Sequence, residues 1–225
     1  MSGVFQLNPN TSQRILVIGG GGHSRCIQET LLDIGYEPED IGIVEIHEDI
    51  HALPGIQWVG KDEDLDTLRC NGWNKAVIGV GSIEKTDLRR RLADMVVKAG
   101  IELITLIDTS ATVSKTCETG LGTFIAKKAV IQPGTRIGTM AIINTGSIVE
   151  HDCSIGDFSH ISSGVVLLGG VTIEHDTLIG GGSVVRQGIH IGRNCVVGAG
   201  SVVVSNIPDN SIAYGNPCKV RRQIL

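Results

Sequence analysis

The sequence of 225 residues predicts two domains of different class, a small α/β domain followed by a parallel β-helix of hexapeptide repeats. A strict six-residue period begins at Ile107, whereas strands alternate with helices before it. The composition agrees, because 30 glycines and only 3% aromatic residues suit thin, stacked coils. We therefore predict domains 1–106 and 107–225.

The six-residue period has an aliphatic residue in its first position and a small or β-branched residue in its fifth. A helix has a period of 3.6 and a strand a period of 2, so the pattern indicates short strands separated by turns. Three such hexads make one coil, so residues three hexads apart share a column. A coincidental repeat in a β-sandwich is the alternative, and the regular spacing disfavours it. Thr119 is the one first-position residue that is not aliphatic. The first positions are Ile107, Val113, Thr119, Ile125, Ile131, Ile137, Ile143, Val149, Ile155, Ile161, Leu167, Ile173, Ile179, Val185, Ile191, Val197 and Val203.

The first domain has the pattern of a nucleotide-binding parallel sheet. A buried strand is followed by a glycine turn and a helix, and further strands and helices alternate after it. The predicted strands are 14–18, 41–46 and 75–80, and the predicted helices are 23–34 and 86–98.

The glycine turn Gly19–Gly22 brings the backbone and a helix N-terminus close to an anion, which favours contact with a diphosphate. A purely structural turn is the alternative. Ser24 stands where a dinucleotide fingerprint requires glycine, so the sequence supports NAD only weakly. Glu45, at the end of the second strand, is placed either to bond a ribose hydroxyl or to lie in solvent.

Charge and cysteine usage exclude several classes of function. A net charge of −5 does not indicate a basic surface that would bind nucleic acid. The chain has no apolar run long enough to span a membrane and no secretory leader, so we expect a cytosolic protein without a membrane partner. Cys117, Cys153 and Cys195 occupy fifth positions of the hexads, where packing is a better explanation than disulfides or nucleophilic catalysis.

His151 is the candidate catalytic residue of the repeat. Asp152 follows it, and Gly169 stands one full coil further on, so the residue stacked over the imidazole has no side chain. A neutral imidazole beside a carboxylate is a suitable general base, and the exposed Gly169 N–H could stabilise an oxyanion. An ordinary exposed turn histidine is the alternative.

The other histidines give no second catalytic cluster in one coil. His160 falls on a different part of the coil from His151 and can join its site only from a neighbouring subunit, which predicts an oligomer. His175 is best explained as part of a surface ladder. The spacing along the chain of His151, His160, His175 and His190 does not fit a three-histidine zinc site, so we expect no metal.

Three segments together resemble the NeuD/PglD-like hexapeptide sugar acyltransferases over about residues 14–225. They are the strand–GGGGH–helix segment, INTGSIVEHDCSIGDFSHISSGV and AYGNPCKV. The resemblance implies a homotrimer of left-handed β-helices with active sites between subunits. It also implies acetyl-CoA as co-substrate and an α/β domain that holds a nucleotide-linked sugar.

The resemblance assigns roles to individual residues. His151 is the base, Asp152 its carboxylate partner, and Gly169 the donor to the thioester carbonyl. Relatives often have two acids where this chain has Glu45 and Ile46. The remaining positions are Asn144 for the sugar, His160, Gly181 and Ala199 for acetyl-CoA, and Gly21, Gly22, His23 and Glu45 for the nucleotide sugar.

The implied reaction is direct N-acetylation of a nucleotide-linked 4-amino-6-deoxy sugar, in glycan or polysaccharide biosynthesis. O-acetylation of a sialic-acid-type sugar is an alternative, because either acceptor must lose a proton to His151. A third interpretation is a non-enzymatic protein that binds a nucleotide sugar. The combination of His151, Asp152 and Gly169 disfavours this interpretation. The sequence leaves UDP, GDP and CMP open as the nucleotide.

Overall fold

A computed structural model describes residues 13–48, 50–82 and 85–224. These residues form two compact units. An α/β unit contains residues 13–48, 50–81 and 87–109, and a β-helix unit contains residues 82, 85–86 and 110–224. No helix in the described ranges is long and apolar enough to cross a lipid bilayer.

The α/β unit is built on a parallel sheet with the order β3-β2-β1-β4-β5. Its strands are β1 (Ile15–Ile18), β2 (Ile41–Val44), β3 (Gln57–Gly60), β4 (Lys75–Ile78) and β5 (Glu102–Leu103), with a short strand at Leu106–Ile107. Its helices are α1 (Gly22–Asp33), α2 (Leu65–Cys70) and α3 (Asp87–Lys98), with 3-10 turns at Pro38–Asp40 and Asp62–Asp64. β1 and β2 are buried along their whole length, as expected of central strands in a parallel sheet.

The predicted parallel sheet is confirmed, but the prediction omitted β3 and α2. β3 lies at the sheet edge and is partly exposed, so its residues lack the continuous apolar run of β1. The second and third predicted strands also end earlier than expected, at Val44 and Ile78.

The β-helix unit is a left-handed parallel β-helix of two-residue strands in three faces. Residues three hexads apart pair in register, as Ile131 does with Val149, so the predicted columns are confirmed. The aliphatic face contains Thr112–Val113, Val130–Ile131, Ile148–Val149, Val166–Leu167, Val184–Val185 and Val202–Val203. The polar face contains Glu118–Thr119, Arg136–Ile137, Ser154–Ile155, Thr172–Ile173 and His190–Ile191. The hairpin face contains Phe124–Ile125, Ile142–Ile143, His160–Ile161, Leu178–Ile179, Val196–Val197, Ser211–Gly215 and Cys218–Gln223.

The interior of the coil explains the two regular positions of the hexad. First-position side chains such as Ile143 and Val149 are fully buried. Fifth-position side chains such as Ser159 are also buried. Where such a side chain is serine or threonine, its hydroxyl donates to a backbone carbonyl, as Ser159 does to Glu174 O at 2.8 Å. A small hydroxyl therefore fills the corner and satisfies a buried polar group there. Val113 and Thr119 are only half-buried, because they belong to the first coil.

The outward side chains distinguish the faces. Those of the polar face are Glu118, Arg136, Ser154, Thr172 and His190, whereas those of the aliphatic face after Thr112 are Val130, Ile148, Val166, Val184 and Val202. Two corners flank the aliphatic face. We call the corner at residues 144–147, 162–165, 180–183 and 198–201 the asparagine corner. The one at residues 150–153 and 168–171 is the histidine corner.

Candidate active site

His151 and Asp152 form a dyad on the histidine corner. The turn requires a left-handed backbone at residue 152, where φ is 60°, and aspartate is among the few non-glycine residues that accept it. Its Oδ2 lies 2.9 Å from His151 Nδ1. Because a carboxylate accepts, Nδ1 carries the hydrogen and Nε2 is left as the basic atom. The imidazole is 57% exposed, so substrates can reach it.

Gly169 lies directly against this imidazole. A Cβ atom on residue 169 would stand 2.5 Å from His151 Nε2 and 2.6 Å from Cε1. The sequence suggested an exposed peptide at Gly169, whereas Gly169 is buried in the structure. Its N–H makes no hydrogen bond within the described part of the chain. The structure therefore brings together the three residues predicted to be catalytic: a base, its carboxylate and a backbone donor.

Asn144 and His160 form a second cluster at the asparagine corner, on the other edge of the aliphatic face. His160 Nδ1 lies 3.0 Å from the carbonyl oxygen of Ser82, so this nitrogen must donate. His160 Nε2 then accepts from Asn144 Nδ2 at 3.2 Å. Asn144 Oδ1 in turn accepts from Thr145 N at 2.8 Å. These bonds fix the imidazole tautomer and the orientation of the amide. Sequence reasoning missed Ser82, because any residue can supply a backbone carbonyl.

Gly181 and Ala199 occupy one column of the asparagine corner. They lie two and three coils beyond the coil of Asn144, and the Gly200 N–H donates to Gly181 O at 2.9 Å. Neither position carries a long side chain, so the backbone is accessible along this edge. The structure places both residues on the same corner as Asn144 and on a different corner from His151.

The glycine turn of the α/β unit leaves the N-terminus of α1 accessible. A Cβ atom on Gly21 or Gly22 would meet nothing within 4 Å, and α1 has no side-chain cap. His23 lies near Gly81, which follows β4, with its Cγ 3.9 Å from the position of a Cβ there. In parallel α/β sheets, ligands bind at the carboxyl ends of two adjacent strands whose following connections run to opposite sides of the sheet. In this sheet, those two strands are β1 and β4.

Glu45 braces this turn. Its Oε2 accepts from Gly20 N and its Oε1 from Ile46 N, both at 2.8 Å. The sequence suggested a ribose hydroxyl or solvent as its partner, whereas its oxygens already hold the backbone of the glycine turn. Asp62, after β3, is a second carboxyl near Glu45, and burial raises its pKa.

His175 repeats the geometry of His151 without its neighbours. Its Nδ1 lies 2.7 Å from Asp176 Oδ2, and Asp176 also has a left-handed backbone, with φ of 59°. Arg193, however, stands one coil beyond His175, where His151 has a glycine. A histidine–aspartate turn therefore occurs at both positions, but the residue one coil beyond is a glycine at His151 and an arginine at His175. No group of three or more candidate metal ligands occurs in residues 13–48, 50–82 and 85–224.

The buried cysteines are unsuited to nucleophilic catalysis. Burial raises the pKa of Cys117 to about 11 and also raises the pKa values of Cys153 and Cys195. Cys153, next to the dyad, donates its thiol to Leu168 O at 3.3 Å. These thiols are protonated at neutral pH, and all described cysteines are free of disulfides.

Comparison with known proteins identifies the family. Residues 14–96 match the PglD N-terminal domain, and residues 170–205 match the hexapeptide repeat of succinyl-transferase. The structure is similar to PerB from Caulobacter crescentus, which was crystallised with CoA and GDP-perosamine. The two are 33% identical over 93% of this chain and 97% of that chain, with a TM-score of 0.85. The chain belongs to the PglD-like hexapeptide acyltransferases.

Two further comparisons agree with membership of the PglD-like family. The acetyltransferase domain of PglB from Neisseria gonorrhoeae FA1090, in complex with acetyl coenzyme A, is 31% identical. That match covers 93% of this chain and 99% of that chain, with a TM-score of 0.85. WeeI from Acinetobacter baumannii AYE is 20% identical and shares the fold, with a TM-score of 0.76. No curated protein sequence matches the chain. The predicted acyltransferase class is thus confirmed.

Proposed function

We propose that this PglD-like enzyme transfers an acetyl group from acetyl-CoA to the 4-amino group of a nucleotide-linked 4-amino-6-deoxy sugar. The observation that carries the proposal is the imidazole of His151 against the bare peptide of Gly169. PerB and PglB, crystallised with GDP-perosamine and CoA or with acetyl-CoA, support this substrate pair. They favour an amino sugar over the sialic-acid-type acceptor, and the product would feed glycan or polysaccharide synthesis.

Transfer is direct in this proposal. His151 Nε2 takes a proton from the sugar ammonium group, and the resulting amine attacks the thioester carbonyl carbon. The Gly169 N–H donates to the developing oxyanion. Collapse of the intermediate breaks the C–S bond, the His151 imidazolium returns a proton to the CoA sulfur, and the second proton on the nitrogen is lost to solvent. Asp152 holds the required tautomer and stabilises the imidazolium. No acyl-enzyme is involved.

The remaining predicted residues position the two substrates. The accessible N-terminus of α1 at Gly21 and Gly22 suits a diphosphate, with His23 beside it and Glu45 holding the turn. Asn144 offers the sugar an amide whose orientation His160 fixes. Gly181 and Ala199 provide a backbone edge along which the pantetheine arm of acetyl-CoA can bind, with His160 at its reacting end.

A homotrimer would join the two clusters into one site. In one protomer His151 and Asn144 lie on opposite edges of the aliphatic face. Three copies packed by this face around an axis would set the histidine corner of each against the asparagine corner of the next. The outward side chains Val130, Ile148, Val166, Val184 and Val202 would be covered at the same time, which removes a continuous apolar strip from water.

A panel of acceptors tests the proposal. Purified enzyme and acetyl-CoA are mixed with UDP-, GDP- and CMP-linked sugars, with and without a 4-amino group, and free thiol is measured. We expect thiol release with one or more 4-amino sugars, and mass spectrometry should show an acetamide in the product. Release only with a sialic-type sugar, and an ester product, would contradict the proposal.

A further inference from the structure

The segment that connects β4 to α3 contacts the coil of the β-helix unit at two points. The structure describes residues 82, 85 and 86 of this connecting segment, and all three belong to the β-helix unit. At its start, the Ser82 carbonyl accepts from His160 Nδ1 at 3.0 Å. At its end, the Thr86 hydroxyl donates to Asp176 Oδ1. The first contact belongs to the site described above, whereas the second lies outside it.

Asp176 repeats the turn of the catalytic dyad but lies in a different environment. Its side chain is 19% exposed, compared with 72% for Asp152. Its Oδ2 lies 2.7 Å from His175 Nδ1, and its Oδ1 accepts from Thr86, so loss of His175 would leave the Thr86 bond in place. A hydroxyl that donates to a carboxylate makes a charge-assisted hydrogen bond, which is stronger than a neutral one. Asp176 is therefore a firm anchor for the end of the connecting segment.

The chain before Ser82 does little to hold the Ser82 carbonyl. Gly81 directly precedes it, and a Cβ atom on Gly81 would meet no atom closer than 3.9 Å apart from its neighbours in the chain. Packing does not restrict this glycine, and glycine has the widest backbone freedom of any residue. Thr86, in contrast, lies four residues after Ser82, a span of at most about 14 Å. The anchor at Thr86 therefore limits where the Ser82 carbonyl can lie.

The Ser82 carbonyl decides the direction of the hydrogen bonds at Asn144. With the carbonyl in place, His160 Nδ1 carries the hydrogen and Nε2 accepts from Asn144 Nδ2. If the carbonyl moves away, the hydrogen can move to Nε2, where it would oppose the hydrogens of the Asn144 amide. Rotation of the amide would relieve this clash, but Nδ2 would then face the Thr145 N–H that now donates to Oδ1. The orientation of the amide thus depends on the tautomer of His160.

We infer that Thr86 and Asp176 are positioning residues for the acceptor sugar, which act through Ser82 and His160 on the amide of Asn144. The inference rests on the proposed function, in which Asn144 contacts the sugar. A purely structural role is the alternative, because Thr86 directly precedes α3, where a threonine oxygen can cap the helix. A positioning role changes the His160 tautomer and sugar binding, whereas a cap changes stability.

Two variants remove the Thr86–Asp176 bond from opposite ends. Thr86→Val replaces the hydroxyl by a methyl group, and Asp176→Gly removes the carboxylate at a left-handed position that glycine accepts. In enzyme labelled with ¹⁵N-histidine, the ring nitrogens of His160 report its tautomer, and His160→Gln identifies their signals. We expect both variants to shift these signals toward a mixture of tautomers. Asn194→Gly, one coil further in the column of Asp176, is the matched control and should leave them unchanged.

Steady-state kinetics provide a second readout. We expect the KM for the amino sugar to rise about tenfold in Thr86→Val and in Asp176→Gly, because an aligned hydrogen bond to the sugar is lost. The value of kcat should change much less, since His151 lies on another corner. Thr86→Ser restores the hydroxyl and should recover the wild-type KM. The double variant should be no worse than either single variant, because both remove the same bond.

Unchanged His160 signals in both variants would overturn the inference. Additive losses in the double variant would also overturn it, as would lower melting temperatures with an unchanged KM, which would assign the bond to stability alone. The nitrogen signals need no acceptor sugar, so they are separate from the test of the proposed function. Shifted signals without thiol release in the acceptor panel would support the link from Thr86 to His160 while contradicting the proposed reaction. Thiol release without shifted signals would have the reverse meaning.

Discussion

The imidazole of His151 lies so close to residue 169 that only glycine leaves it in place. A Cβ atom there would be 2.5 Å from Nε2, well inside contact distance. The relationship joins two residues that are distant along the chain and are neighbours only because successive coils are in register. It also makes the position of the His151 imidazole sensitive to a single methyl group.

Gly169→Ala should therefore displace the His151 imidazole while the coil remains folded. The backbone of Gly169 is not in the left-handed region, so alanine adds no backbone strain. We expect kcat/KM to fall about 100-fold, the usual effect of a misplaced catalytic group. The double variant with His151→Ala should be no worse than His151→Ala alone. Additive losses in that cycle would show that Gly169 acts independently of the imidazole.

His151→Ala should lower kcat by about 10²- to 10⁴-fold, the range for loss of a general base, with little change in substrate binding. His175→Ala is the matched control, because His175 has the same aspartate-bound turn geometry but lies under Arg193. Steady-state kinetics should show near-normal turnover for the control. Near-normal turnover in His151→Ala would remove this residue from the mechanism.

Asp152→Asn should preserve the turn and impair the chemistry. Asparagine accepts a left-handed backbone as readily as aspartate, so the melting temperature should change little. Its amide can donate to His151 Nδ1 and thereby move the hydrogen to Nε2, the atom proposed to accept a proton. We expect kcat to fall by about 10²-fold or more. An unchanged kcat would mean that Asp152 does not set the tautomer.

A charge on the aliphatic face should dissociate the proposed trimer. Val166→Glu places an unpaired carboxylate in the apolar contact, where its burial is strongly unfavourable. Sedimentation should then show monomers, and activity should be lost because the proposed site needs two protomers. Thr172→Glu, on the polar face, is the control and should stay trimeric and active. A fully active monomer would contradict a shared site.

Alkaline pH should destabilise the fold through Cys117. Burial and the nearby Glu118 raise the pKa of this thiol from 9.0 to about 11. Between these values the unfolded thiol ionises while the folded thiol stays protonated, so the free energy of unfolding falls as pH rises from 9 to 11. Denaturant titrations should show a smaller decline for Cys117→Ala, whereas Cys26→Ala, at an exposed thiol, should match the wild type. Equal declines for all three proteins would refute this cause.

The sequence predicted the β-helix well because its signal is repeated in every hexad. It also predicted the column that joins His151 to Gly169, since the period determines which residues stack. It did not predict β3, whose edge position removes the need for a continuous apolar run. Nor did it predict the Ser82 carbonyl that fixes His160, because that contact depends on tertiary structure.

Glu45 illustrates a different limit of sequence-based prediction. Its place after β2 suggested a ribose hydroxyl or solvent as its partner, but the choice of partner depends on local geometry. Two backbone N–H groups, of Gly20 and Ile46, occupy the oxygens that could otherwise meet a ribose. A carboxylate near a binding loop can thus support the loop itself, and position alone does not distinguish the two roles.

The register of the coil restricts which insertions and deletions the β-helix can tolerate. Removing a single residue between His151 and Gly169 would rotate every later side chain by one position and turn buried aliphatic residues outward. Removing three consecutive hexads elsewhere would delete one whole coil and preserve the alignment of the remaining coils. Viable length changes in the strands of this protein should therefore come in multiples of a full turn, and other changes should be confined to its corners.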